Sequence, residues 1–419
     1  MGKAVQHAAR LRGGSGSALP GLVIEKFDKS FVSTALTKFP HGVVFISGTN
    51  GKTTTTKMVV ELLESQGLKV FTNRTGSNFS RGIAAALLSD MNARGKLKAD
   101  IAVLEMDEAH AVHLAEKINP RYCLLLNVMR DQLDRFGEID HTAQLLHRIA
   151  VATTDSVVIN RDDPRLTNEK FIGDLTARVS GFGVSEKLIH QFPSDDDMRS
   201  LSIEKRKALF DQDDTSLESL DGKSAEIKYH GKTKKVSLKV NGIYNVLNAV
   251  SAIALCREIM GEKLQEEKML HALSEVTPAF GRGEDIIVNG SPCQLILVKN
   301  PSGFRLGLQS FDPKGYAIMI AINDNYADGR DMSWLWDVDF ESLKDEGVSE
   351  LSGMRAYDMA LRLQYDDVPF LHVNTDLRRA LKNFLSSASN KPKRIYCTYT
   401  AMMTLRHELS KIADVKAVR

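Results

Sequence analysis

The stretch GVVFISGTNGKTT, residues 42–54, decides the fold of this 419-residue chain. Residues 42–48 form a short apolar run that ends in glycine, which is typical of a buried parallel strand. An amphipathic pattern from Thr53 to about Gln66 predicts a helix directly after it. A glycine turn between a strand and a helix N-terminus suits phosphate binding, because backbone N–H groups and the helix dipole both face the anion. The stretch therefore predicts a nucleotide site.

Each polar residue of this loop has a predicted task. Lys52 would hold the β- and γ-phosphates of ATP, and the Thr53 hydroxyl would reach Mg²⁺. Ile46 stands where the longer G-x-x-x-x-G-K-[ST] pattern has its first glycine, so the loop is a shorter G-T-x-G-K-T form. The predicted nucleotide-binding residues here are Gly48, Thr49, Asn50, Gly51, Lys52, Thr53 and Thr54.

A carboxylate ends a neighbouring strand. Glu105 follows the apolar run 101–104, and the carboxyl ends of neighbouring parallel strands point at one crevice. Glu105 is therefore a predicted second ligand for Mg²⁺ and a catalytic residue together with Lys52. Asp107 and Glu108 lie beside it and remain alternatives.

Strands and helices alternate along most of the chain, which predicts a mostly parallel sheet with helices on both faces. From 186 to about 240 the charge density rises, and alternating patterns at 225–229 and 234–240 indicate antiparallel strands. A linker is predicted near 277–284, and α/β alternation resumes after it. The predicted organisation is an N-terminal segment 1–37, an ATP-binding domain 38–283 with an insertion at 186–235, and a C-terminal α/β domain 284–419.

Composition narrows the function class. A net charge of +2 gives no support for a nucleic-acid partner. The four scattered cysteines and the absence of an apolar leader favour a reducing cytoplasm. Since no run of about 20 apolar residues is evident, we expect at most peripheral contact with the inner face of the cell membrane. Residues 3–12 could form a basic surface helix or a frayed terminus.

Two further segments are candidates for ligand contact. Lys299 and Asn300 end a predicted strand of the last third and could close over ATP, or they form a plain strand-to-loop turn. A polar segment after the predicted strand 68–72 could line a substrate groove. Its candidate substrate residues are Asn73, Thr75, Gly76, Ser77 and Asn78.

With these residues in view, the chain resembles the Mur ligase superfamily, whose members join a carboxylate to an amine through an acyl phosphate. The resemblance implies a Mur-ligase-like central ATPase domain and a Rossmann-like C-terminal α/β domain. It also implies that Asn245 and Arg282 hold the nucleotide from the far side, with helix capping and a surface ion pair as the alternatives. The blocks that carry it are the loop 48–54, Glu105, Asn127 with Asp131–Asp134, Gly242–Ala252 and Gly281–Glu284.

Within that superfamily the chain is similar to the MurT family, the ligase-like subunits of lipid II isoglutaminyl synthase. The segment 321–334 (AINDNYADGRDMSW) carries this likeness most specifically. The family implies a GatD-type glutaminase partner that supplies ammonia, and lipid II as the substrate. Asp331 would complete the partner's Cys-His pair across the interface. Without the resemblance, Asp331 would be one of several loop acids, because acidic residues commonly form turns.

Three functions remain open at this stage. The first is the amidating ligase subunit, which needs a partner because no glutaminase nucleophile is evident in the sequence. The second is a ligase of the muramyl-peptide or folylpolyglutamate type that adds an amino acid and acts alone. The third is a nucleotide-gated scaffold without chemistry. MurT relatives often carry a four-cysteine zinc ribbon, but residues 186–235 contain no cysteine, so we expect no zinc site there.

Overall fold

The computed structural model describes residues 26–73, 80–92, 95–130, 139–192, 214–240, 242–277, 282–387 and 391–415. Its first and larger part contains nine strands and nine helices within these ranges. In chain order they are α1 Phe31–Leu36, β1 Val43–Ser47, α2 Lys52–Ser65, β2 Val70–Thr72, α3 Ser80–Asp90, β3 Ile101–Glu105, α4 Glu108–Ile118, β4 Tyr122–Leu125, α5 Ile139–Val151, β5 Ser156–Asn160, α6 Pro164–Thr167, α7 Glu169–Ile172, β6 Arg178–Val184, β7 Thr215–Asp221, β8 Ser224–Tyr229, β9 Lys232–Ser237, α8 Ile243–Met260 and α9 Glu266–Glu275.

These strands form one sheet in the order β2-β3-β1-β4-β5-β6-β7-β8-β9. All pairs from β2 to β7 are parallel, whereas β8 and β9 are added antiparallel. The strands β1, β3, β4 and β5 are buried along their whole length, as expected for strands covered by helices on both faces. β1 and β3 pair so that Ile46 lies opposite Glu105, which brings the end of β3 beside the phosphate loop.

Helix α8 is the main apolar support of this sheet. Its buried residues join one core with α2 and the strands β1, β3 and β4. By length and mean hydropathy α8 with the turn after it, Ile243–Lys263, could cross a membrane, but half of that segment is buried inside the protein. This packing is that of a core helix.

The remaining residues form a second sheet in the order β10-β11-β15-β12-β13-β14. Only the β10–β11 pair is antiparallel. The predicted fold class, a mostly parallel α/β sheet followed by a second α/β unit, is confirmed. Its elements are β10 Arg282–Val288, β11 Ser291–Leu297, α10 Pro301–Ser310, β12 Ala317–Ala321, β13 Val348–Ser352, α11 Ala356–Tyr365, β14 Phe370–Asn374, α12 Leu377–Ser387, β15 Lys393–Cys397 and α13 Tyr399–Leu409.

Several elements differ from the sequence expectation. The sequence pattern did not predict the strands β6, β7 and β14 or the helices α10 and α13. The strand β10 begins at Arg282, inside the segment expected to be a linker. The antiparallel strands expected between 186 and 240 are present as β8 and β9. They continue the large sheet beyond β7 instead of forming a separate insertion. Residues 193–213 of that segment lie outside the described residues.

Candidate active site

The phosphate loop connects β1 to α2, and glycine is required at its end. Gly51 precedes the helix with a φ of 89°, a backbone conformation that side chains other than glycine rarely adopt. A Cβ atom at Gly51 would lie 2.5 Å from the Asn248 Oδ1 atom of α8. The loop is therefore held between the strand it leaves and a helix that arrives nearly 200 residues later in the chain.

Lys52 is held inside the loop by two groups. Its Nζ atom donates to the Gly48 carbonyl at 2.5 Å and to the Glu108 carboxylate at 3.0 Å. Both Lys52 and Glu108 are buried. Glu108 is the first residue of α4, where the helix dipole stabilises a negative charge. The ammonium thus lies on the face of the loop where phosphate would bind.

Thr53 and Glu105 form the predicted metal-binding pair. The Thr53 hydroxyl donates to Glu105 Oε1 at 2.9 Å, so the two oxygen groups face each other across the loop. Such oxygen ligands suit Mg²⁺, which completes its octahedral shell with waters and substrate phosphates. In the described part of the chain, no group of three or more His, Cys, Asp or Glu side chains is arranged to hold a metal ion.

Asn73 braces Glu105 from the neighbouring strand. Its Nδ2 donates to the Glu105 carbonyl at 2.8 Å, and its Oδ1 accepts from the Glu105 N–H at 3.0 Å. Asn73 is 4% exposed. The geometry gives Asn73 a role in placing the carboxylate. The other predicted substrate residues, 75–78, lie outside the described residues.

A second asparagine fixes the centre of the loop. Asn127, which follows β4, accepts from the Asn50 N–H at 2.9 Å and donates to the Asn50 carbonyl at 3.1 Å. The Thr49 hydroxyl exchanges hydrogen bonds with the backbone of Met129. The loop is therefore fixed before any ligand arrives. Residues 131–134 of the same sequence block lie outside the described residues.

The C-terminal unit contacts the loop through Lys299 and Asn300. Lys299 Nζ lies 3.4 Å from the Thr49 carbonyl, and Asn300 Nδ2 lies 3.4 Å from Asn50 Oδ1. Asn300 also caps α10, since its Oδ1 accepts from the Gly303 N–H at 2.7 Å. Both predicted residues therefore lie at the phosphate loop, and Asn300 is also part of a strand-to-helix turn.

Beside the loop, a cleft runs between the first sheet and α10. Its empty volume is about 1150 Å³, including its open mouth. Its lining includes Asn50, Gly51 and Thr54 of the loop region, Asn245 and Asn248 of α8, and residues of α10. The aromatic and apolar lining suits a flat base, because ligand sites combine apolar walls with a few polar groups. That lining includes Phe182, Phe192, Tyr244, Leu247, Leu297, Leu306 and Phe311.

Asp163 is a buried acid in the cleft wall. It caps α6 through the Arg165 N–H at 3.0 Å and accepts from the Val128 N–H at 2.6 Å. Burial raises the pKa of its carboxyl to about 6, against these two hydrogen bonds, which lower the pKa. Asp163 therefore couples the end of β4 to the far side of the cleft.

Asp331 and Arg282 are the remaining predicted site residues. Asp331 lies in the loop after β12, accepts from the Ser333 N–H at 2.9 Å and is not part of the cleft lining. Arg282 begins β10 opposite Ile296, and its side chain lies outside the described residues. The structure thus brings the loop residues, Glu105, Asn245, Lys299 and Asn300 together and leaves Asp331 on a different surface.

Sequence reasoning missed several residues of this site. Glu108 was left as an alternative metal ligand, and its pairing with Lys52 joins residues 56 positions apart. The rings of Tyr244 and Phe192 meet edge to face with their centroids 5.4 Å apart, and neither residue is a defining position of a sequence motif. A signal for Asp163 was available, because an Asp followed directly by Pro is a common start of a helix.

Comparison with known proteins decides the family. Residues 297–402 match the model described as MurT ligase C-terminal, and residues 46–256 match the Mur ligase middle domain. A Streptococcus pneumoniae protein named lipid II isoglutaminyl synthase (glutamine-hydrolyzing) subunit MurT is 31% identical, over 96% of this chain and 94% of that protein. The chain belongs to the MurT family of Mur ligases. A MurT subunit from Staphylococcus aureus (strain N315) is 28% identical over 88% of this chain and 87% of its own length.

Solved structures agree with this MurT assignment at the level of the fold. A pseudomurein peptide ligase type C from Methanothermus fervidus aligns with a TM-score of 0.68 at 20% identity, covering 91% of this chain and 80% of its own. MurF from Thermotoga maritima in complex with ADP aligns at 0.67 and 17%, covering 94% and 84%. As a member of the family, the chain is an ATP-dependent ligase.

Proposed function

We propose that this MurT family member amidates the α-carboxylate of D-glutamate in the lipid II stem peptide, giving D-isoglutamine for peptidoglycan synthesis. One carboxylate oxygen attacks the γ-phosphorus of ATP, which yields an acyl phosphate and ADP. Ammonia then attacks the acyl carbon, phosphate leaves, and the surplus proton goes to solvent. The printed names of the relatives, lipid II isoglutaminyl synthase subunits, support this choice of acceptor and product.

The observation that carries the proposal is the assembled loop. The contact of Thr53 with Glu105 at 2.9 Å and the buried ammonium of Lys52 converge where a γ-phosphate would lie. Phosphoryl transfer requires positioning and charge stabilisation rather than covalent help from the protein. Bound Mg²⁺, held by Thr53 and Glu105, would supply neutralisation of the phosphate charge. Lys52 and the loop N–H groups would orient the transferred group.

The cleft supports ATP as the phosphoryl donor. It begins at the loop and continues between Asn245 on α8 and the wall formed by α10. A nucleotide base would enter between apolar side chains while its phosphates reach Lys52. Lys299 and Asn300 lie at the phosphate end and would bring the C-terminal unit against the nucleotide.

We propose a GatD-type glutaminase as the ammonia source, bound to the C-terminal unit. A stripe of exposed side chains follows one face of α11, and Trp336 from the 3-10 helix Ser333–Asp337 meets it, packing edge to face against Tyr365 with ring centroids 5.0 Å apart. We call this the aromatic stripe. Interfaces are enriched in such aromatic residues. Its members are Trp336, Met354, Tyr357, Leu361 and Tyr365, each between 48% and 71% exposed.

Asp331 lies five residues before Trp336, in the loop that leads to the aromatic stripe. Its carboxylate would orient an imidazole of the glutaminase and stabilise the charged form of that ring. The second tryptophan, Trp334, is buried against Phe304 and belongs to the core rather than to a docking surface. Of the two tryptophans, only Trp336 is therefore available at the surface.

The decisive experiment compares two nitrogen sources. The chain is co-expressed with a candidate glutaminase, and lipid II is incubated with ATP and either glutamine or ammonium chloride. We expect an amide in place of an acid by mass spectrometry with both. Lys52→Ala should abolish both reactions, whereas Asp331→Asn should abolish only the glutamine-dependent one.

Other results would contradict the proposal. Addition of an amino acid without the partner would point to an amino-acid-adding ligase, and full cellular function of Lys52→Ala would point to a scaffold.

Because lipid II is membrane-linked, we further propose that the enzyme works in the cytoplasm at the inner face of the membrane. Fractionation of cells that contain both subunits tests this location.

A further inference from the structure

The pairing of Lys52 with Glu108 has a consequence for ligand selection. The two side chains are 10% and 3% exposed, and the ammonium lies 3.0 Å from the carboxylate oxygen. In a buried setting a pair of opposite charges interacts strongly, and breaking it leaves a charge that is costly to bury. A ligand that draws Lys52 away must therefore compensate Glu108.

Around the loop, the described side-chain charges balance, with Lys52 and Lys299 against Glu105 and Glu108. Glu105 lies on the same side of the loop, 2.9 Å from the Thr53 hydroxyl. The ammonium of Lys52 contacts Glu108, and Glu105 contacts the next residue, Thr53. The backbone N–H groups at the start of α2 add partial positive charge, but Glu108 already takes up the charge of Lys52, so less positive charge is available to a free anion.

We propose that Glu108 makes the phosphate loop selective for a metal-complexed nucleotide over the free nucleotide. A metal-free polyphosphate would have to share Lys52 with Glu108 and lie beside Glu105 without compensation. A divalent cation on the phosphates supplies the missing positive charge, so the complex binds while the free anion is rejected. The inference rests on the proposed use of ATP with Mg²⁺, and it holds for any acceptor substrate.

Glu108→Gln tests the proposal, because glutamine keeps the shape and one acceptor oxygen but removes the charge. Calorimetry is done on the purified complex of this chain with the glutaminase. It gives the Kd of ADP once with excess Mg²⁺ and once with a chelator. For the wild type we expect Mg-ADP to bind at least about tenfold more tightly than free ADP. In Glu108→Gln free ADP should bind about tenfold more tightly than in the wild type, with Mg-ADP changed by less than about threefold, because only the free anion is repelled.

Two variants serve as controls. Glu108→Asp keeps the charge and should keep most of the selectivity. Glu116→Gln removes a carboxylate from the exposed side of the same helix, where it pairs with Arg148, and should change neither Kd. Melting temperatures of the ligand-free proteins report whether each variant is folded.

The outcomes distinguish a failure of the role of Glu108 from a failure of the proposed function. An unchanged Kd ratio in folded Glu108→Gln, or a wild-type ratio near one, overturns the role of Glu108 and leaves the ATP-dependent reaction standing. If Glu108→Gln does not fold, a wild-type ratio near one still overturns the role of Glu108, and Glu108→Asp still tests whether the charge must be kept. A wild type that binds neither form of the nucleotide overturns both this inference and the proposed function.

Discussion

At Asn73 one amide satisfies both backbone groups of Glu105, the residue whose carboxylate faces Thr53. Removing the amide leaves a buried N–H and a buried C=O without their present partner, which costs roughly 1–3 kcal/mol of stability. We predict that Asn73→Ala lowers kcat for ATP-dependent amidation by about tenfold or more, because the ligand oxygen is displaced. Steady-state kinetics at saturating ATP measure this, with Asn92→Ala in an exposed turn as the control. An unchanged kcat would remove Asn73 from the metal-placing role.

Asp163 gives the stability a specific pH dependence. Burial raises the pKa of this carboxyl from 3.8 to about 6 in the folded state. Between these values the folded protein binds more protons than the unfolded chain, so this group adds stability as the pH falls through 6. We predict that the wild type gains about 1 kcal/mol relative to Asp163→Asn between pH 7 and pH 5. Urea unfolding at both values measures the difference, and parallel curves would contradict the assignment.

Single residues differ in how far the sequence reveals them. Lys52, Thr53 and Glu105 could be predicted because strand ends and a helix start define their positions. Glu108 could not be paired with Lys52 in advance, because that contact depends on the direction in which α4 leaves β3. The cleft aromatics Phe192 and Tyr244 meet only after the large sheet is complete, so no local pattern marks them.

At the scale of elements, helix α2 begins and ends with glycines of similar backbone conformation but different surroundings. Gly51 has a φ of 89° and Gly67 a φ of 90°, and only at Gly51 would a Cβ atom meet another atom within 4 Å. We predict that Gly51→Ala abolishes nucleotide binding, because the loop must move away from Asn248. Gly67→Ala should cost about 1 kcal/mol of stability from backbone strain and leave the Kd for Mg-ADP unchanged. Calorimetry and thermal unfolding of both variants measure this, and equal losses of affinity would contradict it.

Elements that follow simple periodicity were predictable, and those that break it were not. The strand β6 contains Gly181 and Gly183, which are unfavourable in strands, and it is stabilised by pairing with β5 and β7 and by packing of Phe182 and Val184 in the core. The helix α10 carried a readable start, Asn300 followed by Pro301, for which sequence reasoning left open a contact with ATP or a plain strand-to-loop turn. Such cases depend on neighbours that are distant in the chain.

At the scale of the whole molecule, no residue of the aromatic stripe lines the cleft. We predict that the double substitution Trp336→Ala and Tyr365→Ala weakens binding of the glutaminase by about thirtyfold or more, as expected for central aromatic contacts. Ammonia-dependent amidation should persist. Calorimetry with the purified glutaminase measures the affinity, and Ile287→Ser, an exposed apolar residue on β10, is the control. Unchanged affinity would place the partner elsewhere.

The two sheets also suggest that the chain divides into domains just before β10, whose first residue is Arg282, and we propose that these domains fold separately. Limited proteolysis followed by mass spectrometry tests this division. The order of strands within each sheet follows from alternating strands and helices, but the placement of one unit against the other does not. That placement depends on contacts such as Arg130 with Asp337 at 3.2 Å, which link residues 207 positions apart.

Asn300 caps α10 with one end of its amide and touches Asn50 with the other. The same side chain thus serves a helix of one unit and the nucleotide loop of the other. Chimeras that exchange C-terminal halves between family members should retain activity only when both asparagines are inherited together. New acceptor specificity in the C-terminal half would then have to evolve while the contact between Asn300 and Asn50 is kept.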